Sequence, residues 1–394
     1  MRLLAMALVM ALAGPARADL ATGRDKLIAG DYKTAVAELG RVVGKDRPAA
    51  RLLLAKAQAA TGDFAGAEQT LVPLTALKDS AGAEARIDLA QVRISTGKIA
   101  EARKDLEALA KERPDDRGVR TALGLVRYWQ GDVLPAKALF DETVKESDAG
   151  KLNLDDPATL IQLAIAARYT ANFQLSNDAF REAMKLNPQL TDAGVEWADL
   201  FLQKYAAPLA EQTLEDVFKV NPNHPDAHAA MAEVIVETRY DLAAVRHHVD
   251  AALQVNPKNA RALKVQASIS IDQNQWDAAK KTLDQVLATN PQDVEAIAMK
   301  ATIAWLRDDM KLYDAERAKA FQVNPQYAEL YRIVARSAVR EHRYVEALEL
   351  EKEAVKLRPS YYEAMAGAGL GYLRLGMEKE GLEWIEKSWV GDQY

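Results

Sequence analysis

Apolar residues recur every three or four positions in blocks of about three helical turns, and short polar turns separate the blocks. In the second half of the chain a proline marks every second turn, at a spacing of 34 or 35 residues. Proline has no N–H and disfavours helix at the residue before it, so each mark ends one helix and begins a turn. The marks are Asn187-Pro188, Asn221-Pro222, Asn256-Pro257, Asn290-Pro291, Asn324-Pro325 and Arg358-Pro359.

This period predicts an all-α solenoid, in which each pair of helices buries its apolar face only against neighbouring pairs. The first four units lack the Asn-Pro mark but carry a glycine between their two helices. Glycine adopts the left-handed conformation that closes a helix. These glycines are Gly30, Gly62, Gly97 and Gly131.

Small residues recur in step in both helices of each unit, where only a short side chain lets antiparallel helices pack closely. Examples are Ala55, Ala90 and Ala164 in first helices, and Ala35, Ala67 and Ala102 in second helices. With the Gly-Asp-aromatic turn, the closing proline and the 34-residue step, this chain resembles the tetratricopeptide-repeat (TPR) family. We count about eleven units, beginning near Asp19, Pro48, Ala83, Arg117, Pro157, Thr191, Asp226, Ala260, Val294, Ala328 and Tyr362.

The resemblance implies a right-handed α-solenoid whose first helices line a concave groove that binds a protein or peptide. Three departures from the repeat stand out. Residues 151–156 lengthen one link, from which we predict an N-terminal TPR segment (19–150) and a C-terminal TPR segment (151–394). Pro225 adds one residue before the seventh unit, and the seventh and ninth units also carry Glu233, Val245 and Tyr313 where small residues are expected.

The first 18 residues resemble a cleavable export signal, with a basic residue, an apolar run over residues 3–13 and an Ala-Arg-Ala end. We therefore expect a mature chain that begins at Asp19 and is periplasmic or secreted. The apolar run is too short for a membrane anchor, which needs about twenty residues. The chain contains no cysteine, so an exported form is held together by its core alone.

The net charge is −6 and no run of Lys and Arg occurs, which argues against a nucleic-acid ligand. No catalytic constellation is apparent. His224 and His228 have a four-residue spacing, but the general-base glutamate of a zinc peptidase is missing, so we interpret them as solvated turn residues. Gly367, Gly369 and Gly371 follow no strand, and packing accounts for Gly369 alone. We expect no enzyme activity, no cofactor and no metal.

A ligand in the groove would contact the inner face of the first helices, where aromatic and arginine residues are typical of binding hot spots. Arg332, Arg336 and Arg340 are spaced by four residues, which stacks them on one helix face for a carboxylate, or leaves them neutralised by nearby glutamates. The predicted contact residues are Tyr128, Trp129, Arg168, Tyr169, Asp199, Glu237, Lys264, Trp305, Arg332, Arg336 and Arg340.

The last helix carries Trp384, Ile385 and Trp389 where a repeat array usually ends in a polar cap. Two interpretations stay open: this end docks on a partner, or the natural protein continues into a further domain. The leading hypothesis for function is a non-catalytic, exported scaffold for a protein or peptide. The alternatives are a recognition array of an exported zinc metallopeptidase, and a subunit of an envelope polysaccharide-export or outer-membrane assembly complex.

Overall fold

The computed structural model describes residues 19–204 and 206–391, and the predicted signal segment lies outside them. Twenty-two α-helices follow one another in this part of the chain, and it contains no strand. They form eleven helix-turn-helix units, and every first helix begins within three residues of its predicted start. The all-α solenoid is therefore confirmed.

Odd-numbered helices are the first helices of the units, and even-numbered helices are the second. In chain order they are α1 (Leu20–Ile28), α2 (Tyr32–Arg41), α3 (Arg47–Ala60), α4 (Phe64–Leu71), α5 (Ser80–Ser95), α6 (Ile99–Glu112), α7 (Arg117–Trp129), α8 (Val133–Asp148), α9 (Pro157–Tyr169), α10 (Phe173–Leu186), α11 (Thr191–Gln203), α12 (Ala207–Val220), α13 (Pro225–Thr238), α14 (Leu242–Val255), α15 (Ala260–Asp272), α16 (Trp276–Thr289), α17 (Val294–Leu306), α18 (Met310–Val323), α19 (Glu329–Arg340), α20 (Tyr344–Leu357), α21 (Tyr362–Arg374) and α22 (Glu378–Gly391). Short 3₁₀ segments lie at Gly44–Asp46 and Val72–Ala76.

The five Asn-Pro marks share one turn geometry. Each asparagine caps the C-terminus of a second helix, and its side-chain oxygen accepts a hydrogen bond from the backbone N–H two residues further on. These N···O distances run from 2.8 Å at Asn324 to 3.2 Å at Asn221. The asparagine side chain thus replaces a backbone turn and starts the next unit.

The predicted small residues lie at the crossings of the two helices and are buried. Ala164 and Ser176 are fully buried, and the Ser176 hydroxyl donates to the Ala164 carbonyl at 2.8 Å. The glycines of α21 are now explained as well. A Cβ on Gly367 would lie 2.5 Å from the Glu351 carboxylate, and one on Gly371 would lie 3.3 Å from Leu348. Both glycines let α20 approach α21.

The register predicted for the seventh unit was wrong. Pro225 is the first residue of α13 rather than an added one, and the buried small residue is Ala232, not Glu233. The additional residue lies within α13, which has 14 residues where α11, α15 and α17 have 13, and Tyr240 in the turn after it has a φ of +49°. Proline at the first helical position reads in sequence like an inserted turn residue because both precede the apolar pattern.

The solenoid coils tightly enough for successive superhelical turns to touch. The inter-helix glycine turn of unit 1 meets the Asn-Pro turn between units 6 and 7, where Asn221 Nδ2 donates to Tyr32 Oη at 3.1 Å and Asn223 Nδ2 donates to the Gly30 carbonyl at 3.3 Å. The same pairing repeats for Gly62 with Asn256, Gly97 with Asn290 and Gly131 with Asn324. We call these four pairings the superhelix contact.

The superhelix contact adds a second requirement for glycine in the turns of units 1–4. Gly30, Gly62, Gly97 and Gly131 all have φ between +75° and +81°, and a Cβ on any of them would overlap the facing asparagine. Several later units have a left-handed residue other than glycine in the same turn. These residues are Ala171, Tyr240, Asn274, Asp308 and His342.

The superhelix contact also bears on the two predicted segments, because it joins units 1–4 to the turns that follow units 6–9. The link between them runs from the end of α8 at Asp148 to Pro157, and Leu152 packs partly against the core of the fifth unit. The division into segments stays a prediction, and the two segments are in direct contact.

At the C-terminal end, α22 has an exposed apolar face. Trp389 is 68% exposed, and Leu382 and Val390 are also exposed. Trp384 and Ile385 are partly covered, with the Trp384 ring centroid 6.2 Å from that of Tyr372. Within residues 19–204 and 206–391, no helix is both long and apolar enough to cross a membrane.

The superhelix contact predicts unequal costs for the same substitution at two glycines. Gly376 has φ +77° and open space around it, so Gly376→Ala adds only backbone strain, about 1 kcal/mol. Gly131→Ala adds the same strain plus the overlap with Asn324, for a total loss of about 2–4 kcal/mol. Urea unfolding followed by circular dichroism measures both, and equal losses would contradict the superhelix contact.

Candidate functional site

A concavity lined by charged and apolar side chains lies on the inner face of the C-terminal units, where α11, α13, α15, α17 and α19 meet. It has a volume of about 300 Å³ and is called the groove pocket below. Its floor is apolar, and seven charged side chains stand around it. The floor residues are Leu202, Val236, Val265, Ile271, Met299 and Ile333. The charged residues are Glu233, Glu237, Lys264, Asp272, Glu295, Arg336 and Arg340.

Four of the predicted contact residues come together here, namely Glu237, Lys264, Arg336 and Arg340. A fifth, Asp199, lies beside the groove pocket through Arg261, whose Nη2 is 2.6 Å from Asp199 Oδ1 and 2.5 Å from Glu233 Oε2. Burial lowers the pKa of Arg261, but the two carboxylates have the larger effect, and the pKa is raised. Arg261 therefore ties α11, α13 and α15 together and stays charged.

Lys264 is neutralised in the same way. Its Nζ lies 2.5 Å from Glu295 Oε2 and 3.6 Å from Asp293 Oδ2, both contributed by α17 and the turn before it. Burial lowers the pKa of the Lys264 ammonium, and these two carboxylates raise it by more. The ammonium is thus satisfied before any ligand binds.

The three arginines of α19 engage three different partners. Arg332 is largely buried, with Nε 3.8 Å from Glu351 Oε2 and the guanidinium 5.4 Å from the ring centroid of Tyr361. Arg340 pairs with Asp272 at the end of α15. Arg336 is exposed and lies 3.6 Å from Glu329. Helical spacing put them on one face, but other elements direct Arg332 and Arg340, while Arg336 faces Glu329 of its own helix.

The predicted contacts of the fourth and fifth units form an aromatic cluster. The ring centroids of Tyr128 and Tyr169 are 4.8 Å apart, and Phe140 stacks on Tyr169 at 5.1 Å. Burial raises the pKa of Tyr169. Trp129 is partly exposed, and Arg168 Nη1 lies 3.1 Å from Glu196 Oε2 on the next first helix. These residues do not line the groove pocket.

Trp305 does not lie at the solvated surface that the sequence predicts. It is 5% exposed and packs in the core with Ala301 and Leu330, and the Arg343 guanidinium covers its ring at 3.8 Å from the centroid. Nine of the thirteen residues of α17 are buried, so this helix has little free inner face. Sequence position alone could not show that the following unit covers the tryptophan.

The histidines are also not the solvated turn residues that the sequence suggested, since His224 and His228 are 4% and 8% exposed. His224 caps α13: its Nδ1 accepts from the Ala227 N–H at 3.3 Å, so its Nε2 donates to Asp192 at 3.0 Å. His228 Nδ1 lies 2.9 Å from His248 Nδ1, and both rings pack on Phe218. Among the described residues, no three His, Cys, Asp or Glu side chains are placed to hold a metal.

The residues of the groove pocket that the sequence prediction missed are Glu233, Asp272 and Glu295, together with Arg261 beside it. All four are charged residues on first helices, and first helices face the groove. The sequence pattern did not reveal their ion pairs, because each partner lies one or two units away along the chain.

Eleven antiparallel helix pairs, stacked so that their first helices form an inner groove, define an interaction scaffold of the α-solenoid class. Family models described as "Tetratricopeptide repeat" match residues 26–81 and 238–303, and a further model of that description matches residues 87–150. The chain is a tetratricopeptide-repeat protein. No match is found among curated protein sequences.

Solved structures with the same kind of fold are numerous. The chain is similar to a chain of the Cut9–Hcn1 hetero-tetramer of the APC/C, with a TM-score of 0.58 at 10% identity, over 88% of this chain and 69% of that one. Yeast Tom70 has a TM-score of 0.43 at 16% identity, covering 93% of this chain and 90% of that one. A human IFIT1 dimer with PPP-AAAA has a TM-score of 0.46 at 16% identity, covering 92% and 94%. At these identities, the likeness to Cut9–Hcn1 concerns the fold alone.

The histidine pair predicts a loss of stability in mild acid. Burial lowers the pKa of His228, and burial with the charges of His228, His247 and Arg239 lowers that of His248 to about 4, against the partial opposition of Glu211. These histidines therefore bind protons near pH 6.5 in the unfolded chain, but only at lower pH in the folded chain. The free energy of unfolding falls as the pH drops from about 6.5 towards 4.

We expect His248→Phe to remove about 1–2 kcal/mol of the stability difference between about pH 7 and about pH 5. Phenylalanine keeps the packing on Phe218 while losing the titrating nitrogen. His342→Asn, in an exposed left-handed turn, serves as the control and should keep the parent's pH dependence. Urea unfolding at both pH values tests this. If the free energy of unfolding changes by the same amount between the two pH values in His248→Phe and in the parent, the expectation is contradicted.

Proposed function

We propose that this protein is an exported, non-catalytic scaffold that binds a protein or peptide segment in its inner groove. The observation that carries the proposal is the groove pocket, in which an apolar floor is surrounded by charged side chains held in place by ion pairs. Sites of this composition bind through the floor and orient the ligand through the rim.

The charge of the inner face supports a protein partner over nucleic acid. The groove pocket has four carboxylates and three cations, and two of the cations, Lys264 and Arg340, already pair closely with carboxylates. A phosphate backbone needs unpaired Lys and Arg side chains, because release of its counterions supplies most of the binding free energy. The groove pocket lacks such a set.

Export is supported by the apolar run of residues 3–13 and by the Ala-Arg-Ala sequence that ends at residue 18. Cleavage there would leave Asp19, and the Asp19 side chain caps α1 by accepting from the Ala21 N–H at 3.3 Å. The cut would therefore cost the folded chain none of its first helix.

Binding in the groove is tested by selection from a displayed library of random peptides. We expect the protein to enrich peptides that no longer bind after Ser268→Trp, which fills the groove pocket from α15. Gln266→Trp places the same side chain on an exposed position of α15 outside the groove pocket, and binding should persist. Failure to enrich any peptide, or equal loss in both variants, would refute groove binding.

Export predicts a processed N-terminus. When the whole coding sequence is expressed in a Gram-negative host, the protein recovered from the periplasm or the medium should begin at Asp19, since the small residues at positions 16 and 18 suit signal peptidase. N-terminal sequencing reads the result directly. Ala18→Arg should block processing, and an intact Met1 on cytoplasmic protein would contradict export.

A further inference from the structure

The charges around the groove pocket are not evenly matched. Glu233, Asp272 and Glu295 each pair with a cation, namely Arg261, Arg340 and Lys264. Glu237 is an exposed residue for which the described structure gives no hydrogen bond or ion pair. The groove pocket therefore presents one carboxylate that a cationic group of a ligand could pair with.

Electrostatics around Glu237 point in the same direction. Burial by the surrounding wall raises its pKa, and only the distant charge of Arg336 opposes this. Arg336 itself lies closer to Glu329, at 3.6 Å, and so does not neutralise Glu237 by contact. A carboxylate held partly out of water gains from a cation that reaches it with hydrogen bonds.

The curvature of the inner wall limits what can enter. Packed helices lie about 8–10 Å apart, so without curvature α15 and α19 would be separated by about 16–20 Å across α17. A single Arg340–Asp272 pair nevertheless connects α19 to α15, and Arg261–Asp199 connects α15 to α11 across α13. The inner wall is therefore bridged between alternate first helices, and it is curved because the solenoid coils back on itself at the superhelix contact.

An extended segment directs alternate side chains to opposite sides of its backbone. A cavity of about 300 Å³ has room for individual side chains of such a segment. An extended segment also brings an apolar side chain to the floor while a neighbouring side chain reaches the rim.

We propose, on the basis of the function proposed above, that the groove pocket takes an extended peptide segment in which an apolar residue is flanked by Lys or Arg. The apolar side chain packs on Val265, Met299 and Ile333, and the basic side chain pairs with Glu237. This reverses the ligand charge that the α19 arginines suggest in sequence, because Arg340 is already paired with Asp272, Arg332 packs against Tyr361, and Arg336 lies 3.6 Å from Glu329.

Fluorescence anisotropy with labelled peptides of equal length tests the ligand class. One peptide alternates Leu with Lys, one alternates Leu with Glu, and one alternates Ser with Lys. We expect the Leu/Lys peptide to bind about tenfold more tightly than either of the others, since it alone satisfies both floor and rim. A Leu/Glu peptide that binds as tightly as Leu/Lys would overturn the inference.

The residue assignment is tested by Glu237→Gln, which removes the charge and keeps the shape. Binding of Leu/Lys should weaken about fivefold to tenfold, and the preference for Lys over Glu should disappear. Glu215→Gln makes the same change of net charge on an exposed position of α12 and should leave binding unchanged. Equal effects of the two substitutions would overturn the role of Glu237, because they would report net charge alone.

The two levels of the proposal fail in different ways. If the random library yields peptides that Ser268→Trp blocks, but these peptides lack the apolar-basic pattern, groove binding stands and the ligand class is refuted. If neither the library nor the labelled peptides bind while circular dichroism shows the parent folded, groove binding of peptides is refuted as well.

Discussion

The contact between an asparagine of the later inter-unit turns and a glycine turn of the early units is the constraint on which the architecture depends. Helix pairs alone determine a stack, but they do not determine how tightly the stack coils. The side chain of Asn221 reaches Tyr32, and that of Asn290 reaches the Ile94 carbonyl, so the coil closes to the point at which these groups meet. Because Asn221 and Tyr32 are buried, losing the contact would leave polar groups without partners.

The tight coil in turn shapes the groove. It brings alternate first helices close enough for Arg261 to reach Asp199 and for Arg340 to reach Asp272. These ion pairs stabilise the curved inner wall. They also neutralise cations that would be unpaired, and able to bind a ligand, in a looser solenoid. What remains exposed is an apolar floor, the carboxylate of Glu237 and the guanidinium of Arg336, which lies 3.6 Å from Glu329.

The sequence predicted the helices, the starts of the units and the small residues at the helix crossings, because each depends on local patterns of apolar, small and turn-forming residues. It misplaced the additional residue of the seventh unit, since proline at the start of α13 resembles an insertion. It assigned Trp305 to the solvated groove and the histidines to solvent, although neighbouring units bury all three of Trp305, His224 and His228. Those errors concern contacts between units, which a repeat pattern does not describe.

Periodicity, proline and glycine act on the backbone within one unit, so the amino-acid sequence is enough to identify an array of eleven helix pairs. The sequence also contains both sets of residues that form the superhelix contact, the glycines of units 1–4 and the asparagines of the turns after units 6–9. It does not reveal that they pair. That pairing is seen only in the three-dimensional structure, because it joins residues about 190 positions apart. The tertiary structure likewise decided which groove charges are already neutralised, because pairing depends on distances between units that no local pattern specifies.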